Sequence, residues 1–277
     1  SPLRSQNYRI NPDNGVQMMP VLNFNVKAET GDAKIENVYA STTWSTGGAP
    51  TTLYLYDGST LLASKNVVTA GASINFDNLS VVIPKDTTKT LSVRADLPAT
   101  ATSGSFSSTT VSRVVFEKPN GTTADASGSQ VFGVNHYAFT AAPQFVLVGT
   151  PTISKTSNQN GSTTEMTASF TFNVTALGGA MTKPSASSFT IYAATNTTNL
   201  IAAAVGTPVT IPNNDIADGS TAQVTVTATL GSASVVNPGQ YGFVVGSTTW
   251  TVGSVSGITQ TWGLDDFKTP ATSYFAK

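Results

Sequence analysis

From Glu165 to Thr175 apolar and polar residues alternate without a lapse. Met166, Ala168, Phe170, Phe172 and Val174 fall on one face, and Thr167, Ser169, Thr171, Asn173 and Thr175 on the other. A period of two is what a half-buried β-strand requires, because successive side chains of a strand point to opposite faces of its sheet. On a helix the same apolar residues would be spread around the whole cylinder. An earlier stretch repeats the pattern, with Leu22, Phe24 and Val26 set against Asn23, Asn25 and Lys27. The shared F-x-V core (Phe24 with Val26, Phe172 with Val174) is a first sign that one fold is used twice.

Read in order, the chain predicts a short extended piece at Tyr8 to Ile10, then the turn Asn11-Pro12-Asp13-Asn14-Gly15. Strands follow over 16–28, 35–41, 51–56, 61–65, 73–76, 79–83, 91–97 and 111–117, with a hairpin signal at Asp57-Gly58. Residues 118–143 are linker-like, rich in Gly, Ala, Ser and Thr, and 131–132 with 137–139 offer a final strand or strand pair. A boundary falls near Ala141-Ala142-Pro143, which gives domains 1–141 and 142–277. The second series predicts strands at 145–154, 165–175, 189–193, 200–204, 209–211, 222–230, 240–245 and 249–252.

The two series agree in order and register. Ile83-Pro84 precedes Leu91-Ser-Val-Arg-Ala-Asp-Leu97, as Ile211-Pro212 precedes Val224-Thr-Val-Thr-Ala-Thr-Leu230. Leu53 to Tyr56 with Leu61-Leu62 matches Phe189 to Tyr192 with Leu200-Ile201. No stretch carries a capped helical pattern. Many short strands without β-helix-β alternation predict an all-β chain of two tandem antiparallel immunoglobulin-like β-sandwich domains. A jelly roll is the alternative.

Charged residues make up only 10% of the 277, with 14 basic and 15 acidic side chains and a net charge of -1. Ordinary soluble domains carry about 25%. So neutral a chain lacks the basic footprint that nucleic acid demands and the basic amphipathic face of a membrane-surface binder. No apolar run reaches the ~18 residues needed to span a bilayer. Low net charge leaves little self-repulsion, so copies can pack closely. There is no cysteine, hence no thiol nucleophile, thiolate metal site or disulfide. The chain opens Ser1-Pro2-Leu3-Arg4 with no hydrophobic region behind it, as a processed exported protein or a trimmed chain would.

Catalytic signatures are scarce. The single histidine, His136, lies beside Tyr137 in the linker-like region, with no G-x-S-x-G elbow in the chain, and is read as structural or exposed. Asp265 and Asp266 are adjacent and on a strand would face opposite ways. Asp215 and Asp218, in an Asx-rich turn, are weak calcium candidates without EF-hand spacing. Gly47-Gly48 and Gly178-Gly179 have no helix after them to receive a phosphate. No cofactor is expected beyond that calcium candidate, and no enzymatic activity. Asn78, Asn120, Asn160, Asn173 and Asn196 each begin an N-x-S/T sequon. Trp44, beside the Gly47 to Pro50 loop, is either a ligand contact at a loop tip or a cap on the sandwich, the second being preferred.

The segments V-L-N-F-N-V-K-A-E (21–29), L-Y-D-G-S-T-L-L (55–62), I-P-K-D-T-T-K-T-L-S-V-R-A-D-L (83–97) and V-G-T-P-T-I-S-K-T (148–156) resemble repeat modules of predicted bacterial cell-surface proteins. Those are immunoglobulin-like modules known mostly from genomes of small uncultivated bacteria. The resemblance implies an exported protein of the cell surface, in an S-layer, a filament or a stalk. Modules of that kind often adjoin catalytic or wall-binding domains, and none is present here. The apolar ends agree with assembly: Leu3, Tyr8 and Ile10 at one end, Leu264, Phe267, Tyr274 and Phe275 at the other. Each end either pairs at the edge of its own domain or adds a strand to a neighbouring copy. The expectation is a homopolymeric extracellular subunit, the alternative an adhesin or stalk that binds cell-wall or surface glycans.

Overall fold

A computed structural model of the chain describes residues 3–128, 130–159, 161, 163–195, 199–205, 214–231, 239–270 and 273–275. The chain divides into two compact units, Ser1–Thr140 and Ala141–Lys277. Both are built of strands, and the described residues contain no α-helix, only a 3-10 turn at Ala186–Ser188. No helix among them is long and apolar enough to cross a membrane. The expected strand over 209–211 lies outside the described residues.

The first unit opens with β1 (Asn7–Arg9), β2 (Val16–Lys27), β3 (Ala33–Trp44) and β4 (Thr52–Asp57). β5 (Thr60–Asn66), β6 (Ile74–Phe76), β7 (Val81–Ile83) and β8 (Thr88–Leu97) follow. β9 (Ser105–Glu117), β10 (Thr123–Asp125), β11 (Val131–Phe132) and β12 (His136–Phe139) complete it. One sheet runs β2-β8-β4-β5; the other runs β1-β12-β9-β3-β6, with β10 and β11 along β9 and β7 along β3. Between them lies the core. Met19, Val21, Phe24, Leu53, Leu55, Leu91 and Val93 face Ile35, Val38, Phe76 and Val111. Burying each such side chain contributes about 1.5–3 kcal/mol, which sets the two sheets face to face.

β2 is an edge strand, and its edge is blunted. Pro20 has no N–H to offer a neighbour, and the register against β8 shifts twice, between Val16 and Met19 and between Pro20 and Leu22. At the first shift Met18 takes φ +54, and its N–H is held by the Asp96 carboxylate at 2.7 Å. The region 118–143, linker-like in sequence, is part of the fold, because β10, β11 and β12 all pair with β9.

The second unit contains β13 (Ala142–Leu147), β14 (Thr152–Ser157), β15 (Thr163–Leu177) and β16 (Phe189–Thr195). β17 (Asn199–Ala202), β18 (Ala204–Val205), β19 (Thr221–Gly231), β20 (Gly239–Val252), β21 (Val255–Gln260) and β22 (Ser273–Phe275) follow. Its sheets run β13-β15-β19-β18, with β14 also on β15, and β17-β16-β20-β21, with β22 on β20. Phe172 sits at the centre. The rings of Phe145, Phe189 and Phe267 meet it edge-on at 5.9, 5.5 and 5.6 Å between centroids.

Two expectations change here. The strand expected over 145–154 is two strands, because Gly149 at φ +69 and Pro151 break it before both parts pair with β15. The two strands expected over 240–252 are one, β20, whose extra residue Gly246 forms a bulge against Thr190 and Ile191. Asp265 and Asp266 occupy a turn closed by the Phe267 N–H to the Leu264 carbonyl, 2.9 Å.

Candidate functional site

The corner where β1 meets β12 combines the features that bear most on assembly. β1 runs parallel to β12, pairing Asn7, Tyr8 and Arg9 with Tyr137, Ala138 and Phe139. Beyond those pairs the ladder is extended by Tyr137 N–H to the Gln6 carbonyl (3.0 Å) and Ile10 N–H to the Phe139 carbonyl (2.7 Å). Asn7 and Ile10 are buried, Leu3 and Tyr8 half-buried. The loop Asn11–Gly15 then carries the chain from this sheet to β2 in the other. Two backbone bonds between Asn11 and Gly15 (2.9 and 2.8 Å) close it, and the Asn11 side chain accepts from Asp13 N–H at 2.9 Å. Gly15 is required at its turn, since φ is +73 and a Cβ would strike the Leu97 carbonyl oxygen.

Under β1 the core is polar. Trp44, Ser107 and His136 stand in one row across β3, β9 and β12, and Thr42 and Thr109 pair in a second row. Ser105, Ser107, Thr109, Thr42 and His136 are all buried. Thr42 Oγ1 donates to the Ser108 carbonyl (2.8 Å) and Thr109 Oγ1 to Thr42 Oγ1 (3.3 Å). Among the described residues, the hydroxyls of Ser105 and Ser107 and both ring nitrogens of His136 find no hydrogen-bond partner. Each such group costs about 1–3 kcal/mol unless water reaches it. Burial holds the His136 pKa down at about 4; the Val21 carbonyl pulls weakly the other way without making a well-formed hydrogen bond. The Tyr8 ring meets His136 edge-on at 5.8 Å, and burial pushes the Tyr8 phenol up to about 12. His136 is thus a core residue of β12, neither exposed nor in a linker.

Trp44 lies half-buried at the end of β3, on the inward side shared with Thr42, where it closes the end of the polar row. The loop after it is stitched to β9 by Ser45 N–H to the Phe106 carbonyl (3.0 Å) and Phe106 N–H to Ser45 Oγ (2.9 Å). Gly47-Gly48 serves that contact, since a Cβ at Gly48 would lie 2.7 Å from the Phe106 oxygen. Gly178-Gly179 permits a similar close approach, with the Gly253 Cα passing 2.7 Å from where a Gly179 Cβ would stand.

The calcium candidates have structural employment. Asp218 accepts from Gly178 N–H at 2.7 Å and Asp215 from Lys183 N–H at 2.9 Å, which fastens their turn to the loop after β15. Among the described residues no three His, Asp or Glu side chains converge. Leu264 and Phe267 are buried in the core of the second unit, so while that unit is folded they offer no surface to a neighbour. The Tyr274 and Phe275 backbone pairs with Gln240 and Gly239 through β22, and their side chains lie outside the described residues. In the single chain, then, both ends pair at edges of their own units.

Sequence reasoning missed the buried row. Ser105, Ser107 and Thr109 alternate with period two, but the alternation lies in position and not in hydropathy, so only the strand's apolar second half is visible.

No family model matches the chain, and no curated protein matches it. Among solved structures, it is similar to the class 5 fimbriae chaperone CfaA at 11% identity and a TM-score of 0.21, covering 93% of this chain and 95% of that one. An anti-sigma factor domain-containing protein aligns at 8% identity and a TM-score of 0.23, covering 96% and 99%. Neither likeness bears on what the chain does. The fold is all-β, and among the described residues every named strand pair is antiparallel but for β1 on β12.

Proposed function

We propose that the chain is an extracellular structural subunit of the cell surface that joins to copies of itself by exchanging its N-terminal strand. The observation that carries this reading is the parallel pairing of β1 on β12 above a core lined by unpartnered polar groups. A strand held in cis by so short a ladder makes the same contacts in trans, so exchange has little net cost in contacts. Lifting β1 admits water to His136, Ser105 and Ser107, which offsets part of the lost pairing. The short Asn11–Gly15 loop is the hinge, and straightening it carries β1 away from its own unit. An exchange that passes from copy to copy without closing yields a filament. Few charges and many hydroxyls leave the joined surfaces without strong repulsion.

Electron microscopy of the purified chain tests this. The full chain should form ordered polymers, and a chain lacking residues 1–10 should remain folded and monomeric. Equal polymerisation of both chains would refute strand exchange by β1.

An adhesin that holds glycans is favoured by one observation, the 72% exposure of Phe132, which pairs with Thr110 on β9, the strand that also carries Phe106 of the tilted Phe106–Tyr137 pair. On that reading Phe132 is a better ligand contact than Trp44. Persistent monomers with glycan affinity lost in Phe132→Ala would support it.

A further inference from the structure

The geometry points to Asn120 as an acceptor for an N-linked glycan. Asn120-Gly121-Thr122 is the tip of the hairpin joining β9 to β10, where Glu117 pairs with Thr123. All three residues are exposed. The tip is set by Gly121 N–H to the Lys118 carbonyl (2.9 Å), Lys118 N–H to the Thr122 carbonyl (2.8 Å) and φ +78 at Gly121.

Within it the Asn120 side-chain oxygen accepts two hydrogen bonds from the same residue, Thr122 N–H at 3.1 Å and Thr122 Oγ1 at 2.7 Å. A backbone N–H can only donate, so the atom facing it is Oδ1 and the nitrogen Nδ2 is turned away. Among the described residues none bonds Nδ2. An amide nitrogen is a poor nucleophile because its lone pair is shared with the carbonyl. Two donors on Oδ1 stabilise the negative charge that develops there as Nδ2 gives up a proton, which is the electronic change a nitrogen-glycosylating enzyme must bring about.

The two other sequons among the described residues lack this presentation. Asn173 lies inside β15, flanked by Val146 on β13 and Gln223 on β19, and is half-buried. Engaging it means opening the sheet. Asn78 is exposed, but the next residue, Leu79, is buried and its N–H is held by the Glu36 carbonyl at 3.0 Å. Asn160 and Asn196 lie outside the described residues. The sequon rule treats all five alike; among the three described, exposure and hydrogen bonding single out Asn120.

The co-reactant is a lipid-pyrophosphate-linked oligosaccharide. Asn120 Nδ2 forms a bond to the anomeric carbon of the first sugar, the bond from that carbon to the phosphate oxygen breaks, the lipid pyrophosphate leaves, and the Nδ2 proton passes to a base of the transferase. Occupancy in the cell rests on the extracellular location proposed above, whereas acceptor competence does not.

The test is made on the folded full chain, incubated with a single-subunit oligosaccharyltransferase and a lipid-pyrophosphate-linked oligosaccharide, and read by peptide mass spectrometry. Asn120 should be glycosylated, with transfer to Asn78 and Asn173 about tenfold slower or less, since those sites require local opening first. Thr122→Ala and Asn120→Gln should each abolish transfer at residue 120, and both should leave the circular dichroism unchanged. An unmodified Asn120, in a reaction that glycosylates a free peptide of residues 117–124, would overturn the inference. So would Asn78 or Asn173 reacting as fast as Asn120.

Discussion

His136 on β12 meets Tyr8 on β1 edge-to-face, 5.8 Å between ring centroids, across the ladder that holds the N-terminal strand. The hydroxyl of Ser107 lies opposite it in register. The buried imidazole takes up a proton only near pH 4, an exposed one near its ordinary 6.5. Between these limits the open or unfolded chain binds more protons, so stability present above pH 6.5 is lost as the pH falls toward 4. The full loss is about 3 kcal/mol. Denaturant titrations from pH 7.5 to 4 should show it in the first unit, and His136→Phe should flatten the slope over that window.

Asp96 should be a strong point of the first unit. Its two oxygens hold Met18 N–H at 2.7 Å and the Tyr54 hydroxyl at 2.7 Å, one fixing the bulge in β2 and the other tying in β4. Asp96→Ala leaves both donors without an acceptor and should cost about 3 kcal/mol, against about 1.5 for Tyr54→Phe. Denaturation midpoints of the two variants check the order.

Gly133, between β11 and β12, has backbone where a side chain would go. A Cβ there would strike the Thr109 carbonyl oxygen and stand 3.0 Å from that of Val21. Neither can move without breaking a sheet. Gly133→Ala should therefore destabilise the first unit by about 2–4 kcal/mol, whereas Gly58→Ala, which meets no atom within 4 Å, costs only the strain of a positive φ. Thermal unfolding of the two variants should separate them clearly.

The sandwich was legible wherever hydropathy and strand parity coincide. β2, β8, β15 and β19 announce themselves because Phe24, Val93, Phe172 and Val226 face the core while their neighbours do not. The first half of β9 did not, since its inward residues are hydroxyls. β21 was hidden by Gly257 at φ +67 and by the lack of any apolar alternation. Phe267 reads as part of an apolar tail because its partner, Phe172, is far away in sequence. Partner choice is likewise invisible locally: Tyr8 to Ile10 predicts a strand, yet nothing near it says that the strand will lie parallel to β12. The candidate corner was therefore half visible, in its apolar end residues and not in the polar row beneath them.

Strand exchange predicts which chains share a bond. The chain has no cysteine, and Tyr8 and Ala138 are register partners. Tyr8→Cys and Ala138→Cys made in separate chains, mixed under polymerising conditions and oxidised, should form a disulfide between the two kinds of chain. The double variant, oxidised as a monomer, should then fail to polymerise until reduced. Polymers that form without any mixed disulfide, or a locked double variant that polymerises freely, would contradict the exchange of β1 between copies.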